Sequence, residues 1–194
     1  MKRGQKDGLV MFDLGVSKLG VPGRPFTYRG TPGSDRLGDE LLGQVGRATF
    51  SPAVLDHKVC NSLVFGTIVF AIVDGKPRVR IYLNQEENEL MKQSDFIAPQ
   101  MVWEQGQKYK IDWPPQAGSR DGTVAVALDI DANGRVQGSK VSYESPEGFG
   151  FASEVMRHMR HARFVPAFRN GQPVAARFTM PFFFRAGIGW RWKT

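Results

Sequence analysis

The chain contains one pattern twice, 114 positions apart, and that repeat restricts its possible folds more than any other feature. Asp7-Gly8 falls on Asp121-Gly122, Val10 on Val124, Leu14 on Leu128, Gly20 on Gly134, Pro32 on Pro146, Glu40 on Glu154 and Phe70 on Phe184. The block Ala48-Thr49-Phe50-Ser51-Pro52-Ala53 falls on Ala162-Arg163-Phe164-Val165-Pro166-Ala167. Residues 7–70 need no gap, and 12 of the 64 columns are identical. Average composition would give roughly four by chance. Two copies are too few for a solenoid, which stacks three or more short units. The repeat therefore predicts a duplicated small domain.

Periodicity supplies the elements of each copy. Val10, Phe12, Leu14 and Val16 alternate on one strand face, and Val124, Val126, Leu128 and Ile130 repeat it. Asn133-Gly134 predicts a tight hairpin with positive φ at both residues, and Leu19-Gly20 is a weaker version. Returning strands are expected over Arg24 to Tyr28 and Val136 to Tyr143. Pro32 and Pro146 then break the chain ahead of a helix. Leu37, Leu41 and Val45 give the first helix, Arg36 to Gly46, its apolar face. Phe151, Val155 and Met159 do the same for the second, Phe151 to Ala162. Last strands are expected over Cys60 to Val73 and Val174 to Arg185. Each copy is thus β-β-α-β, an α+β unit with one helix on a small antiparallel sheet.

The first copy is followed by an added strand. Val73-Asp74-Gly75-Lys76 signals a hairpin, and Arg78 to Leu83 alternates. Asn84 to Asp95 reads as a polar helix or loop, and Phe96 to Pro115 as a connection. The expected boundaries are 7–83 for the first unit, 84–112 for the connector and 113–194 for the second unit with its basic aromatic tail.

In the second copy the strand, the Asn133-Gly134 turn, the return strand and the helix are followed by three further pieces. These are Phe164-Val165-Pro166-Ala167, Gly171-Gln172-Pro173-Val174 and a last strand ending Pro181-Phe182-Phe183-Phe184. In that order and spacing, residues 122–184 resemble the TonB C-terminal domain. Trp113-Pro114-Pro115-Gln116-Ala117 is similar to the Tyr-Pro-x-x-Ala element that precedes this domain, with Trp for Tyr. The first copy is degenerate: Asp56-His57 stand for Asn170-Gly171, and Thr67 for Pro181.

The resemblance implies a mechanism made of backbone. In the TonB domain the last strand lies at a sheet edge and accepts an extended peptide as an added strand. Carried to this chain, the docking strand is Arg177, Phe178, Thr179, Met180, Pro181, Phe182 and Phe183, with Trp113 and Pro114 at a neighbouring groove. Pro181 lacks an N–H, so it suits an edge with that position facing out. The implied partner is an outer-membrane TonB-dependent receptor or another envelope protein, in the periplasm, with a homodimer as a further option. The competing expectation is that the two copies, or the tail Gly189-Trp190-Arg191-Trp192-Lys193, cover that edge. A structural or polyanion-binding envelope protein is the alternative function.

Other chemistry is thinly represented. The net charge of +7 permits an acidic partner, although a basic protein without one has the same charge. The arginines at 157, 160 and 163, with Trp190 to Lys193, form a basic aromatic candidate patch, but no nucleic-acid-binding motif accompanies it, so no nucleic acid is expected. Glu154, His158 and His161 fall at i, i+4 and i+7, yet those arginines would repel a cation, so no metal or other cofactor is expected. Cys60 in its apolar run reads as a core residue, with His57 three positions earlier in a turn, and no catalytic or phosphate-cradling motif is present. The chain is therefore expected not to be an enzyme. Its longest apolar run, Leu63 to Val73, is a core strand, since a membrane-spanning helix needs roughly 20 residues.

Overall fold

The computed structural model describes residues 8–92, 95–103 and 111–187, apart from the side chains of residues 35–37, 40 and 41. The N-terminal Met1 to Lys6, the tail from Gly189 to Lys193 and the packing of Leu37 and Leu41 lie outside the described residues. The first half runs β1 (Gly8–Val16), β2 (Phe26–Gly30), α1 (Asp35–Val45), β3 (Ala53–Leu55), β4 (Lys58–Val73) and β5 (Lys76–Tyr82). Then follow α2 (Glu87–Lys92), β6 (Phe96–Ile97) and β7 (Gln100–Trp103). A 3-10 turn at Pro115–Ala117 leads into β8 (Gly122–Ile130), β9 (Val136–Ser145), α3 (Phe151–Met159), β10 (Phe164–Val165), β11 (Ala167–Arg169), β12 (Gln172–Val174) and β13 (Ala176–Phe184). Strand pairing is antiparallel throughout the described residues, and the few helices make this a mixed α+β fold.

The pairing registers of the two halves coincide at the repeat offset. Gly8 faces Phe70 and Val16 faces Ser62, as Gly122 faces Phe184 and Ile130 faces Ala176. The bulge between Met11 and Phe12 recurs between Ala125 and Val126. The β3–β4 hairpin pairs Ala53 with Cys60, as β11–β12 pairs Ala167 with Val174. In that second hairpin Asn170 and Gly171 both have positive φ, and so do Asp56 and His57, which carry side chains in a conformation glycine accepts more readily.

The Asn133-Gly134 hairpin forms with a different turn from the one expected. Gly134 has φ +74°, while Asn133 is not among the residues with positive φ. The Asp131 carboxylate accounts for the change. Its Oδ1 accepts from the N–H groups of Asn133 (2.8 Å) and Arg135 (2.9 Å), closing a wider turn. Ser17 does the same for Leu19 and Val21 in the first half.

Two apolar cores result among the described residues. Val10, Phe12, Leu14, Val16, Val64, Ile68 and Phe70 pack with Leu42 and Val45 of α1. The larger core joins Val124, Val126, Leu128 and Ile130 to Phe178, Met180, Phe182 and Phe184 beneath α3. Leu63 and Phe65 belong to this second core, so β4 serves one core with each face. That explains its unbroken apolar run, because a strand buried on both sides shows no alternation.

The connection is more structured than its sequence suggests. β7 pairs with β4 on one side and β10 on the other, giving the order β10-β7-β4-β1-β2, with β3 and β5 also on β4. β6 adds to β11, and β13-β8-β9 form a separate three-stranded sheet.

Candidate functional site at the outer edge of the last strand

Among the described residues β13 pairs with β8 alone, so its other edge carries outward backbone groups. Alternation divides the seven candidate docking residues into two sets. Phe178, Met180 and Phe182 are buried and point into the core, while Thr179, Pro181 and Phe183 are half-buried on the opposite face beside exposed Arg177. The side chains of the first set are closed off from solvent, and those of the second reach it. Arg177 is held flat along the sheet by Asp129, with Nε to Oδ1 at 2.8 Å and Nη2 to Oδ2 at 3.0 Å. This pair lowers the Asp129 carboxyl from its ordinary value, chiefly through the hydrogen bond from Arg177.

The edge at Thr179 is met by side chains from the first half. The Thr179 N–H donates to Glu86 Oε1 at 3.1 Å. Gln85 Nε2 donates to the Thr179 carbonyl, and the Tyr28 hydroxyl donates to Gln85 Oε1. Thr179 thus presents both main-chain groups away from β8. In an antiparallel ladder this orientation alternates, so Arg177, Pro181 and Phe183 share it. Pro181 fits because it has no N–H to leave unpaired.

Asn84 fixes the corner that supplies these groups. It is fully buried; its Nδ2 donates to the Phe96 carbonyl at 3.1 Å, and its own carbonyl accepts from Thr67 Oγ1 at 2.8 Å. Burial raises the Glu86 carboxyl above its ordinary value, the Thr179 N–H opposes that rise, and Glu89 adds to it. Burial, with Asp13 and Glu86 nearby, pushes the Tyr28 phenol up. A ring cluster closes the far end of the edge: Phe183 lies 5.9 Å from Phe26 and 6.2 Å from Tyr28. Sequence reasoning missed Tyr28, Asn84, Gln85 and Glu86, because a polar run after a strand looks like any solvated loop.

Trp113 and Pro114 sit elsewhere. Trp113 packs edge-on against Phe151 (5.9 Å) and Phe184 (6.0 Å), and its Nε1 donates to the Gly118 carbonyl at 2.8 Å. Pro114 is buried. Both cover the helix-side core, where Phe184 also points.

The remaining candidates are only partly assembled. Glu154 and His158 approach Asp112, with one ligand-type atom of each within 4.8 Å of the others. His161 lies beyond the end of α3, its N–H on the His158 carbonyl. The cation at the acidic pair is a guanidinium: Arg157 Nη2 contacts Asp112 at 2.9 Å and Glu154 at 2.5 Å. Arg163 pairs with Asp56 at 3.2 Å, so two of the three candidate patch arginines already have carboxylate partners. Cys60 is half-buried on β4, with its Sγ 3.6 Å from the Ala53 carbonyl.

The arrangement is a small antiparallel sheet with a helix on one face and a strand edge on the other side, supported by a second sheet. Residues 113–186, less than half of the chain, match the family model described as Gram-negative bacterial TonB protein C-terminal. No curated protein matches the chain. The matched family belongs to the cell envelope and its domains are not enzymes. No described helix is long and apolar enough to cross a membrane.

Proposed function

We propose that the chain is a non-enzymatic protein-interaction module of the bacterial periplasm, docking an extended partner segment by strand addition along β13. The partner class is the exposed segment of an outer-membrane TonB-dependent receptor or of another envelope protein. One observation carries the reading. Among the described residues β13 ends its sheet within the family-matched segment, and its outward groups at Thr179 are satisfied by side chains instead of a neighbouring strand. A partner backbone can replace side-chain partners group for group, with little net loss of hydrogen bonding.

The common registers support a reading of the chain as two units. Residues 7–83 are a degenerate copy of the matched unit whose equivalent edge is filled in cis, since β5 pairs along β4 from Thr67 to Val73. Residues 84–112 connect the copies, and residues 113–194 form the docking unit.

A photo-crosslinking residue at exposed Arg177 in the native host tests the proposal. Capture of an envelope protein through one short extended segment is the expected result. Capture only of the chain's own first half, or of nothing, even with Gln85 and Glu86 both replaced by Ala, would sink the docking reading and leave a scaffold.

A further inference from the structure

Thr179 lies mid-way along the outward-facing run of β13, and both of its outward groups are taken. We propose that the corner Asn84–Glu86 is an autoinhibitory clamp: it holds the edge of β13 closed, and a partner strand docks only after Gln85 and Glu86 have left Thr179. The inference rests on the docking reading above and adds a control to it.

Three features support a clamp over an incidental contact. The two side chains reproduce what an added strand would offer, an acceptor for the Thr179 N–H and a donor for its carbonyl. The corner is held in place from behind, with Asn84 tied to Thr67 of β4 and to Phe96 of β6, and the Ala98 N–H on the Leu83 carbonyl at 2.9 Å. The chain from Tyr28 through Gln85 to Thr179 also links the clamp to β2, whose Phe26 and Tyr28 rings lie against Phe183. A docking strand therefore has to lift the corner and slide past these rings. It cannot simply add to a vacant edge.

The groups facing Glu86 make release specific. The carboxylate is drawn from water and accepts the Thr179 N–H, while Glu89, three residues on, repels it. A partner that supplies its own carbonyl to Thr179 returns Glu86 to solvent, which favours exchange. A partner that leaves Thr179 unpaired gains nothing of the kind. The clamp thereby selects for a regular extended backbone over a merely apolar or charged surface.

The test uses the full chain with the Arg177 crosslinker, and compares wild type, Glu86→Gln and the double variant Gln85→Ala/Glu86→Ala. Amide exchange over residues 176–182 is measured on the same proteins. In the double variant, exchange at Thr179 should rise about tenfold and capture of the same partner segment about threefold. Glu86→Gln keeps a carbonyl acceptor and should remain closed. If the double variant fails to fold, Glu86→Ala alone carries the comparison. Unchanged exchange in the variant would overturn the clamp, and a wild-type capture would still leave docking standing. Faster exchange with unchanged capture would also overturn it, because the edge would open without consequence for docking. Faster exchange with no capture by any form would overturn the clamp together with the docking reading beneath it.

Discussion

Thr67 and Pro181 occupy the same place in two sheets, opposite Met11 on β1 and Ala125 on β8, yet among the described residues only Thr67 has a strand on its other side. Thr67 faces Tyr82 of β5, and its hydroxyl donates to the Asn84 carbonyl at 2.8 Å. Proline at this register leaves an edge without a donor, whereas threonine supplies one to the neighbouring strand.

Thr67→Pro should therefore loosen β5 and the Asn84 corner together. It removes a ladder N–H and a buried hydroxyl bond, for a loss of about 3 kcal/mol. Amide exchange should quicken in β5 and at Thr179 while β8 and β9 stay protected. Even loss across the whole chain would count against the local reading.

Gly20 and Gly134 should be equally intolerant of a side chain. A Cβ on Gly134 would lie 1.7 Å from the Phe164 carbonyl oxygen, and one on Gly20 would lie 2.1 Å from that of Phe50. Both residues also have positive φ, +74° and +77°. The close approach exists because each glycine carbonyl accepts the N–H of the same phenylalanine, at 2.9 and 3.1 Å. Gly134→Ala and Gly20→Ala should each cost about 3 kcal/mol or more. The corresponding fall in Tm is roughly 6–12 °C for a chain of this size. A mild effect at Gly20 alone would show that the first half tolerates a shift that the second does not.

Asp13 makes stability depend on pH. The residue is 5% exposed and paired with Phe26 and Phe65, and desolvation raises its carboxyl from 3.8 to about 7. The folded value lies above the unfolded one, so the protonated form is the one the fold favours. The contribution is fully present below about 3.8 and is lost as the pH rises through about 7. The complete loss is on the order of 4 kcal/mol, at about 1.36 kcal/mol per unit. Asp13→Asn should flatten the decline between pH 4 and pH 8 in thermal melts and exceed wild type at pH 8. Parallel profiles for the two proteins would refute it. The second half has Ala127 at this register, so the effect has no counterpart there.

Much of this fold is legible in the sequence because each strand or helix carries its own period. Val10 to Val16 and Val124 to Ile130 alternate, and Phe151, Val155 and Met159 recur at helical spacing. β6 and β7 carry no such signal. At two and four residues they are too short for periodicity, and their stability comes from partners far along the chain, Phe168 and Arg169 for one, and 61–63 with 164–165 for the other. α3 stops at Met159, short of the expected Ala162, because the Ala162 N–H turns back to the Met159 carbonyl and frees the chain to enter β10.

The candidate site was legible as a strand but not as an environment. Pro181 marks an outward-facing position by what it lacks. Nothing local marks Gln85 or Glu86, whose contacts with Thr179 cross more than ninety residues and depend on how two sheets meet. Trp113 was readable as an element near the matched unit, whereas its burial against Phe151 and Phe184 depends on a helix that arrives later in the chain.

The short strand β7 has an evolutionary consequence. It lies outside the family-matched segment, yet it bonds to β10 within that segment, while Leu63 and Phe65 of β4 close the same core. A recombination that moved residues 113–186 into another gene would carry the sheet without one of its walls. Inheritance of this module should therefore keep the whole ensemble together, and shuffled descendants would have to invent a replacement for Phe65.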